Sequence, residues 1–270
     1  MAQIGIIGSG NVGANTAFFA AEKNFAHVRM YDVKEGLSTG KALDMMEAAP
    51  LRGYQYRLSG TDELANVLDS DVVVVAAGET REPGMKREDL YEKNKPIFEE
   101  IAGKLKGFAG VVIVATEPVD LFTLQLVREG LPWQRVMGVG GTLDSARLQV
   151  LIARELFVAQ EDVKATVIGR HSDEMIALPA YCSVAGVPVT KLVSETRFSE
   201  LVRTTVEAGD HIVALAQRTN SFYGPAAAAA DLAEAVIRGT NRIMPVSLVF
   251  SGQYGISDVA MSLPALVGSA

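Results

Sequence analysis

The sequence predicts an α/β fold: a doubly wound parallel sheet over residues 1–140, then an α+β part with antiparallel strands over residues 141–270. Two observations predict it. In the first half, short apolar runs rich in Val and Ile alternate with helical or loop stretches, and continuous apolar strands of this kind are buried on both faces. Near Gly140 the character changes to short strand-like runs, two long helices and two closing strand-like segments, which points to antiparallel pairing.

The elements follow in order. Residues 4–7 have the length of a buried strand, and a helical stretch from residue 11 to about residue 23 follows at once. Between them stand Gly8, Ser9, Gly10, Asn11, Val12 and Gly13. Gly8 permits a tight turn, Gly10 lets the backbone approach a pyrophosphate, and Gly13 lets helix and strand pack closely. A second strand over residues 28–31 ends at Asp32, 19 residues after Gly13, close to the spacing of about 20 expected for a ribose-binding carboxylate. An acid there accepts hydrogen bonds from both ribose hydroxyls and repels a 2′-phosphate. The pattern therefore predicts a dinucleotide, NAD rather than NADP, with its phosphates at the positive end of the first helix.

Apolar runs at residues 71–77, 111–115 and 135–139 continue the parallel sheet. The loop after the first of them, residues 78–87, is polar and punctuated by Pro83 and Gly84, as a closing lid would be. A helix is expected from residue 144 to about 156 and a strand over 164–168, then a glycine-flanked turn carrying His171. Short strands over 181–184 and 187–190 follow, then helices over 198 to about 218 and over 225–238. Strands over 247–254 and 258–266 close the chain.

Composition narrows the chemistry. The single cysteine, Cys182, excludes an internal disulfide and a CxxC metal site, and the three histidines are scattered, so no metal is expected. A net charge of −7 argues against a nucleic-acid surface. The apolar runs fall short of a membrane span, and the first strand starts too near Met1 to leave room for a signal peptide. A cytoplasmic protein with neither nucleic-acid nor membrane partners is expected.

Several charged groups fall where ligands bind such sheets, beyond the carboxyl ends of the strands. The lid carries Arg81 and Arg87. Asp144 and Arg147 are three residues apart on one helix face. His171 lies in the turn Gly169-Arg170-His171-Ser172-Asp173. A guanidinium grips a carboxylate through two parallel hydrogen bonds, and a histidine with a carboxylate partner is an acid/base near neutral pH. With NAD, this describes hydride transfer at a hydroxyl carbon bearing a carboxylate. Taken singly each residue has a plainer explanation: solvated arginines, Asp144 as a helix N-cap, His171 bonded to a carbonyl.

The chain resembles the malate/lactate dehydrogenase family over nearly its whole length. The glycine turn, residues 40–44, the lid, residues 143–147, His171 with Asp173, and residues 221–226 and 253–256 carry the resemblance. It implies a Rossmann domain at 1–140 and a substrate domain at 141–270. It also implies that His171 exchanges the hydroxyl proton, Asp144 holds it, Arg147 clamps the substrate carboxylate and Arg87 polarises the carbonyl. Gly78, Asn94, Ala115 and Glu117 would lie near the cofactor, and Ser221 near the substrate. Arg81 looks like the malate type, able to pair the second carboxylate of oxaloacetate. A homodimer or homotetramer is implied as well.

Three departures matter. Glu117 stands where the family usually has asparagine after the fourth strand. At ~4 Å from a substrate carboxylate it would repel by about 4 kcal/mol at an effective dielectric of about 20. Either Glu117 is protonated, or an arginine such as Arg170 pairs with it, or oxaloacetate is not the substrate. Ser172 replaces a glycine, which matters if that position needs a positive φ. Family members also continue for some tens of residues into a final helix, whose loss would expose apolar surface. A lactate-type or other 2-oxo-acid reductase and an NAD-binding pseudoenzyme are the competing readings.

Overall fold

The computed structural model describes residues 2–55, 57–81, 85, 87–216 and 220–269, without the side chains of Arg87 and Glu88. The first half runs β1 (Gln3–Ile7), α1 (Asn11–Glu22), β2 (His27–Tyr31), α2 (Leu37–Arg52), β3 (Leu58–Thr61) and α3 (Ala65–Leu68). It continues through β4 (Val72–Val75), α4 (Arg87–Lys104), β5 (Val111–Val114), α5 (Val119–Arg128) and β6 (Val136–Gly138). These six strands are parallel, in the order β3-β2-β1-β4-β5-β6. The chain reverses its direction of winding between β1 and β4, and a crevice opens there above the strand ends.

Alternation along each strand explains the continuous apolar runs. Ile4, Ile6, Val72 and Val74 enter one core with Ala17, Ala20 and Ala21 of α1. Ile7, Val73 and Val75 enter the opposite core with Phe98 of α4 and Phe122 of α5, whose rings stack at 3.8 Å between centroids. A strand with a helix layer on each face has no polar side to display, so the period-two signal vanishes.

The second half runs α6 (Gly140–Leu156), β7 (Val163–Lys164), β8 (Val167–Ile168), β9 (Ile176–Ala177), β10 (Ser183–Val184) and β11 (Val187–Pro188). It ends with α7 (Glu195–Ala216), α8 (Tyr223–Ile237), β12 (Arg242–Ser251) and β13 (Ser257–Val267). The closing strands pair antiparallel, as expected. They extend the large sheet, because Ser247 of β12 pairs with Gly138 of β6. The alanines of α8 (Ala228, Ala229, Ala233) belong to the same core as α1, while Leu148, Ile152, Val163, Val167, Phe198 and Leu201 form a separate cluster.

Other expectations shift. The strand read over 164–168 is two strands: β7 pairs with β10 and β8 with β9, in different small sheets. Periodicity shows which face a strand buries but not which partner it takes. The strands around Cys182 are shorter than expected, with turns of 3-10 helix at Pro179–Tyr181 and Val189–Lys191. The end of the helix expected at residues 217–218 lies outside the described residues. The helix α6 starts at Gly140, not at residue 144; two glycines of low helix propensity open it, and Gly141 is there for close packing, since a Cβ on it would lie 2.7 Å from Cβ of Ser262. Asp144 is therefore an interior residue of α6, which removes the capping explanation for it.

Gly8 and Gly13 behave as the motif requires. Gly8 has φ 96°, and a Cβ on Gly13 would sit 1.9 Å from the carbonyl oxygen of Gly8. A G13A variant is expected to lose about 3 kcal/mol or more, since backbone on both sides cannot yield as a flexible side chain does. A urea midpoint that falls with unchanged m-value would register it.

Candidate active site

The glycine turn emerges from β1 at the crevice. Gly10 begins α1 without a side-chain cap, and a Cβ placed on it would meet nothing within 4 Å. That open ground in front of uncapped helix N–H groups suits a phosphate. Asp32 leaves the end of β2; its Oδ2 accepts from the Ser9 N–H at 2.7 Å and its Oδ1 from the Lys34 N–H at 3.0 Å. Lys41 donates to the Ser9 carbonyl at 2.5 Å. The arrangement of turn, helix N-terminus and acid fits NAD.

A cavity of about 360 Å³ extends from this turn across the carboxyl ends of β4 and β5 to α6, α7 and the start of α8. Of the residues expected at a site, Gly10, Asn11, Val12, Gly78, Ala115, Glu117, Arg81, Arg147, His171 and Ser221 line it. Gly8, Ser9, Gly13, Asp32, Asn94 and Asp144 are not among the residues that line it. The buried Asn94 braces the cavity wall: its Oδ1 accepts from the Glu79 N–H at 2.6 Å, and its Nδ2 donates to the carbonyls of Glu79 at 3.1 Å and Glu117 at 3.3 Å. The side chain of Arg87, expected to reach the substrate, lies outside the described residues.

His171 is held from three directions. Its backbone N–H donates to Oδ2 of Asp120 at 2.7 Å. Its Nδ1 lies 2.8 Å from Oδ2 of Asp144, and its Nε2 lies 3.5 Å from Oε1 of Glu117. Asp144 is 1% exposed, and Nη1 of Arg147 reaches its other oxygen at 3.5 Å. Burial by itself pulls the His171 pKa down, but Asp144 first and Glu117 second overcome it and push it up to about 10. An imidazole fixed through Nδ1 with Nε2 toward a cavity can give or take a proton there.

The lid base is docked on α7. The guanidinium of Arg81 pairs with Asp210, and Nδ2 of Asn220 donates to the Arg81 carbonyl at 3.3 Å. Arg170, expected as a partner for Glu117, pairs instead with Glu174 at 2.7 Å, four residues along its own segment. Ser172 has no positive φ; that conformation falls on Gly169 at 89°, so serine is accommodated without strain. Among the described residues no group of three His, Cys, Asp or Glu side chains is placed to hold a metal ion, and no helix is long and apolar enough to cross a membrane.

Two groups were missed in the sequence. Asp120 is buried and also accepts from the Ser247 hydroxyl; burial raises its pKa, against the lowering by Ser247 and His171. An acid among the apolar residues that open α5 was the available signal. Asp210 gave none, because an acid on a long amphipathic helix reads as a solvated face.

Known proteins similar to this chain identify its family. The family pattern described as lactate/malate dehydrogenase, NAD binding domain, matches residues 2–138, and its alpha/beta C-terminal domain matches residues 141–270. A malate dehydrogenase of Methanosarcina barkeri is 41% identical over all of this chain and 89% of its own. The solved malate dehydrogenase of Salinibacter ruber has a TM-score of 0.91 at 37% identity, over 98% of this chain and 86% of its own. The lactate dehydrogenase of Cryptosporidium parvum, solved with lactic acid and nicotinamide adenine dinucleotide, reaches a TM-score of 0.93 at 32% identity, over 99% and 87%. Glycine turn, acid at the end of β2 and histidine-lined cavity all lie within those matched stretches, and the chain belongs to the lactate/malate dehydrogenase family, with an NAD-binding domain at residues 2–138.

Proposed function

We propose that this protein interconverts a 2-hydroxy acid and a 2-oxo acid, with malate and oxaloacetate as the pair. The observation that carries the reading is His171, fixed by Asp144 through Nδ1, facing a cavity that also holds Arg81, Arg147 and the glycine turn. Bound NAD supplies the acceptor for hydride from the hydroxyl carbon, and NADH the donor for the reverse. His171 takes the hydroxyl proton on Nε2 in oxidation and returns it in reduction, while Asp144 fixes the ring and stabilises the imidazolium. Arg147 takes the carboxylate next to the reacting carbon, and Arg87 polarises the carbonyl from the lid. Arg81 takes the second carboxylate, exchanging Asp210 for the substrate. Ser221 borders the same pocket, and Asp32 selects the unphosphorylated ribose.

One observation favours a substrate without a second carboxylate: Arg81 already has Asp210 as its partner, and Glu117 adds another anion to the cavity. NADH consumption with a panel of 2-oxo acids separates the readings. Saturable turnover with oxaloacetate, and less with pyruvate, is expected. Pyruvate as the better substrate would make it a lactate-type enzyme, and NADH binding without turnover would make it a pseudoenzyme.

A symmetric homo-oligomer belongs to the same proposal. It is supported by the exposed Leu43 and Leu51 on α2 and by an apolar groove of about 590 Å³ between α1, α6 and α8. Sedimentation equilibrium would test it.

A further inference from the structure

We propose that Glu117 is a second carboxylate partner of His171, one that keeps the imidazole protonated before substrate arrives and so readies the protein for 2-oxo-acid reduction. The inference rests on the dehydrogenase reading and adds to it a residue that moves the working pH of both directions. Glu117 comes from the turn between β5 and α5, on the side of the ring opposite Asp144. Its Oε1 is 3.5 Å from Nε2, the nitrogen that faces the cavity. An uncharged amide at this position could accept a hydrogen bond but would bring no charge. A carboxylate adds a Coulombic attraction for the cation, in a site where His171 is only 7% exposed and solvent screens poorly.

The surrounding charges favour the same protonation state. Asp144 from α6 lies on Nδ1, with Arg147 of the same helix against it. Asp120 from α5 binds the backbone N–H of His171. On the segment of His171 itself, Arg170 and Glu174 pair with each other. Across the cavity Arg81 and Asp210 do the same. Among the described residues the acids in contact with His171 thus outnumber the cations, and burial is the opposing influence.

In reduction, His171 gives its Nε2 proton to the carbonyl oxygen as hydride from NADH reaches the carbonyl carbon, and it is left neutral. In oxidation it must start neutral. Raising its affinity for the proton therefore extends reduction to higher pH and delays oxidation to higher pH by the same interval. The overall equilibrium is untouched. Glu117 is 42% exposed in its side chain, so it has room to swing from Nε2 when the substrate oxygen takes that place. It is a positioning residue in this scheme, acting through the histidine.

The test uses the full chain and its E117Q and E117N variants. In the ligand-free protein the His171 imidazole is followed by NMR, with His27 and His211 identified by their own substitutions. Its midpoint is expected to fall by about one pH unit or more in both variants, and coincident midpoints would overturn the proposal. In turnover, the alkaline limb of kcat/KM for oxo-acid reduction should move down by that interval. At neutral pH, hydroxy-acid oxidation should rise about tenfold for each unit, because the neutral imidazole becomes that much more abundant. Rates that change at all pH values alike would show a merely steric effect and also overturn it. Wild-type protein inert toward every 2-oxo acid would defeat the dehydrogenase reading instead, a failure distinct from unmoved midpoints in an active enzyme.

Discussion

Replacing His171 with alanine is expected to lower kcat/KM for oxaloacetate reduction by about 10³- to 10⁴-fold, the upper range for loss of a positioned acid/base. NADH affinity should change little, since the glycine turn and Asp32 lie on the other side of the crevice. The loss should also reach the fold. Asp144 is buried, and removing the imidazole at 2.8 Å leaves it, among the described residues, with Arg147 at 3.5 Å. Breaking one side of a buried ion pair costs ~3 kcal/mol or more. A fall in the thermal midpoint together with the rate would show both effects. Because the folded-state pKa of His171 is raised to about 10, the stabilisation is fully present below the ordinary histidine value near 6.5. It is lost as pH rises through about 10. Unfolding free energy measured between pH 6 and 11 should fall more steeply in the wild type than in H171A.

An R81Q variant should lose about 10²- to 10³-fold in kcat/KM for oxaloacetate, as expected when one partner of a desolvated charge pair is removed at a cost of ~3–4 kcal/mol. Pyruvate should lose far less, because it has no second carboxylate to pair. The complementary variant D210N removes the anion that now occupies the guanidinium, and it should lower KM for oxaloacetate while leaving pyruvate nearly unaffected. Equal losses for both substrates in R81Q would show that Arg81 only fastens the lid to α7. Steady-state kinetics with the two oxo acids on all three proteins decides between specificity and anchoring.

The legible parts of this protein were those whose physics is local. The turn from Gly8 to Gly13 and the acid at 32 could be read together because a short stretch of chain must make a tight bend, a close helix contact and an open phosphate bed. The strands at 72–75 and 111–114 were legible because burial on both faces leaves only apolar residues. By contrast, α2 and β3 are not legible in the sequence. The former mixes small and charged residues without a clean apolar stripe, and the latter, Leu-Ser-Gly-Thr, is an edge strand with little hydrophobic content. Strand partners in the second half were not legible either, since a run of two residues carries no record of what it pairs with.

From the chain alone came the NAD-type dinucleotide turn, the parallel sheet, and the candidate set of His171, Asp144, Arg147, Arg81 and Arg87, each resting on residue type and neighbouring spacing. Tertiary structure decided which of these groups touch: that Asp144 lies inside α6 and grips Nδ1, that Glu117 faces Nε2 while Arg170 turns to Glu174, and that Asp210 reaches Arg81 across 129 positions of sequence. A charge reveals its role only through the distance and screening between it and its partners, and for residues far apart in the chain both are set by packing.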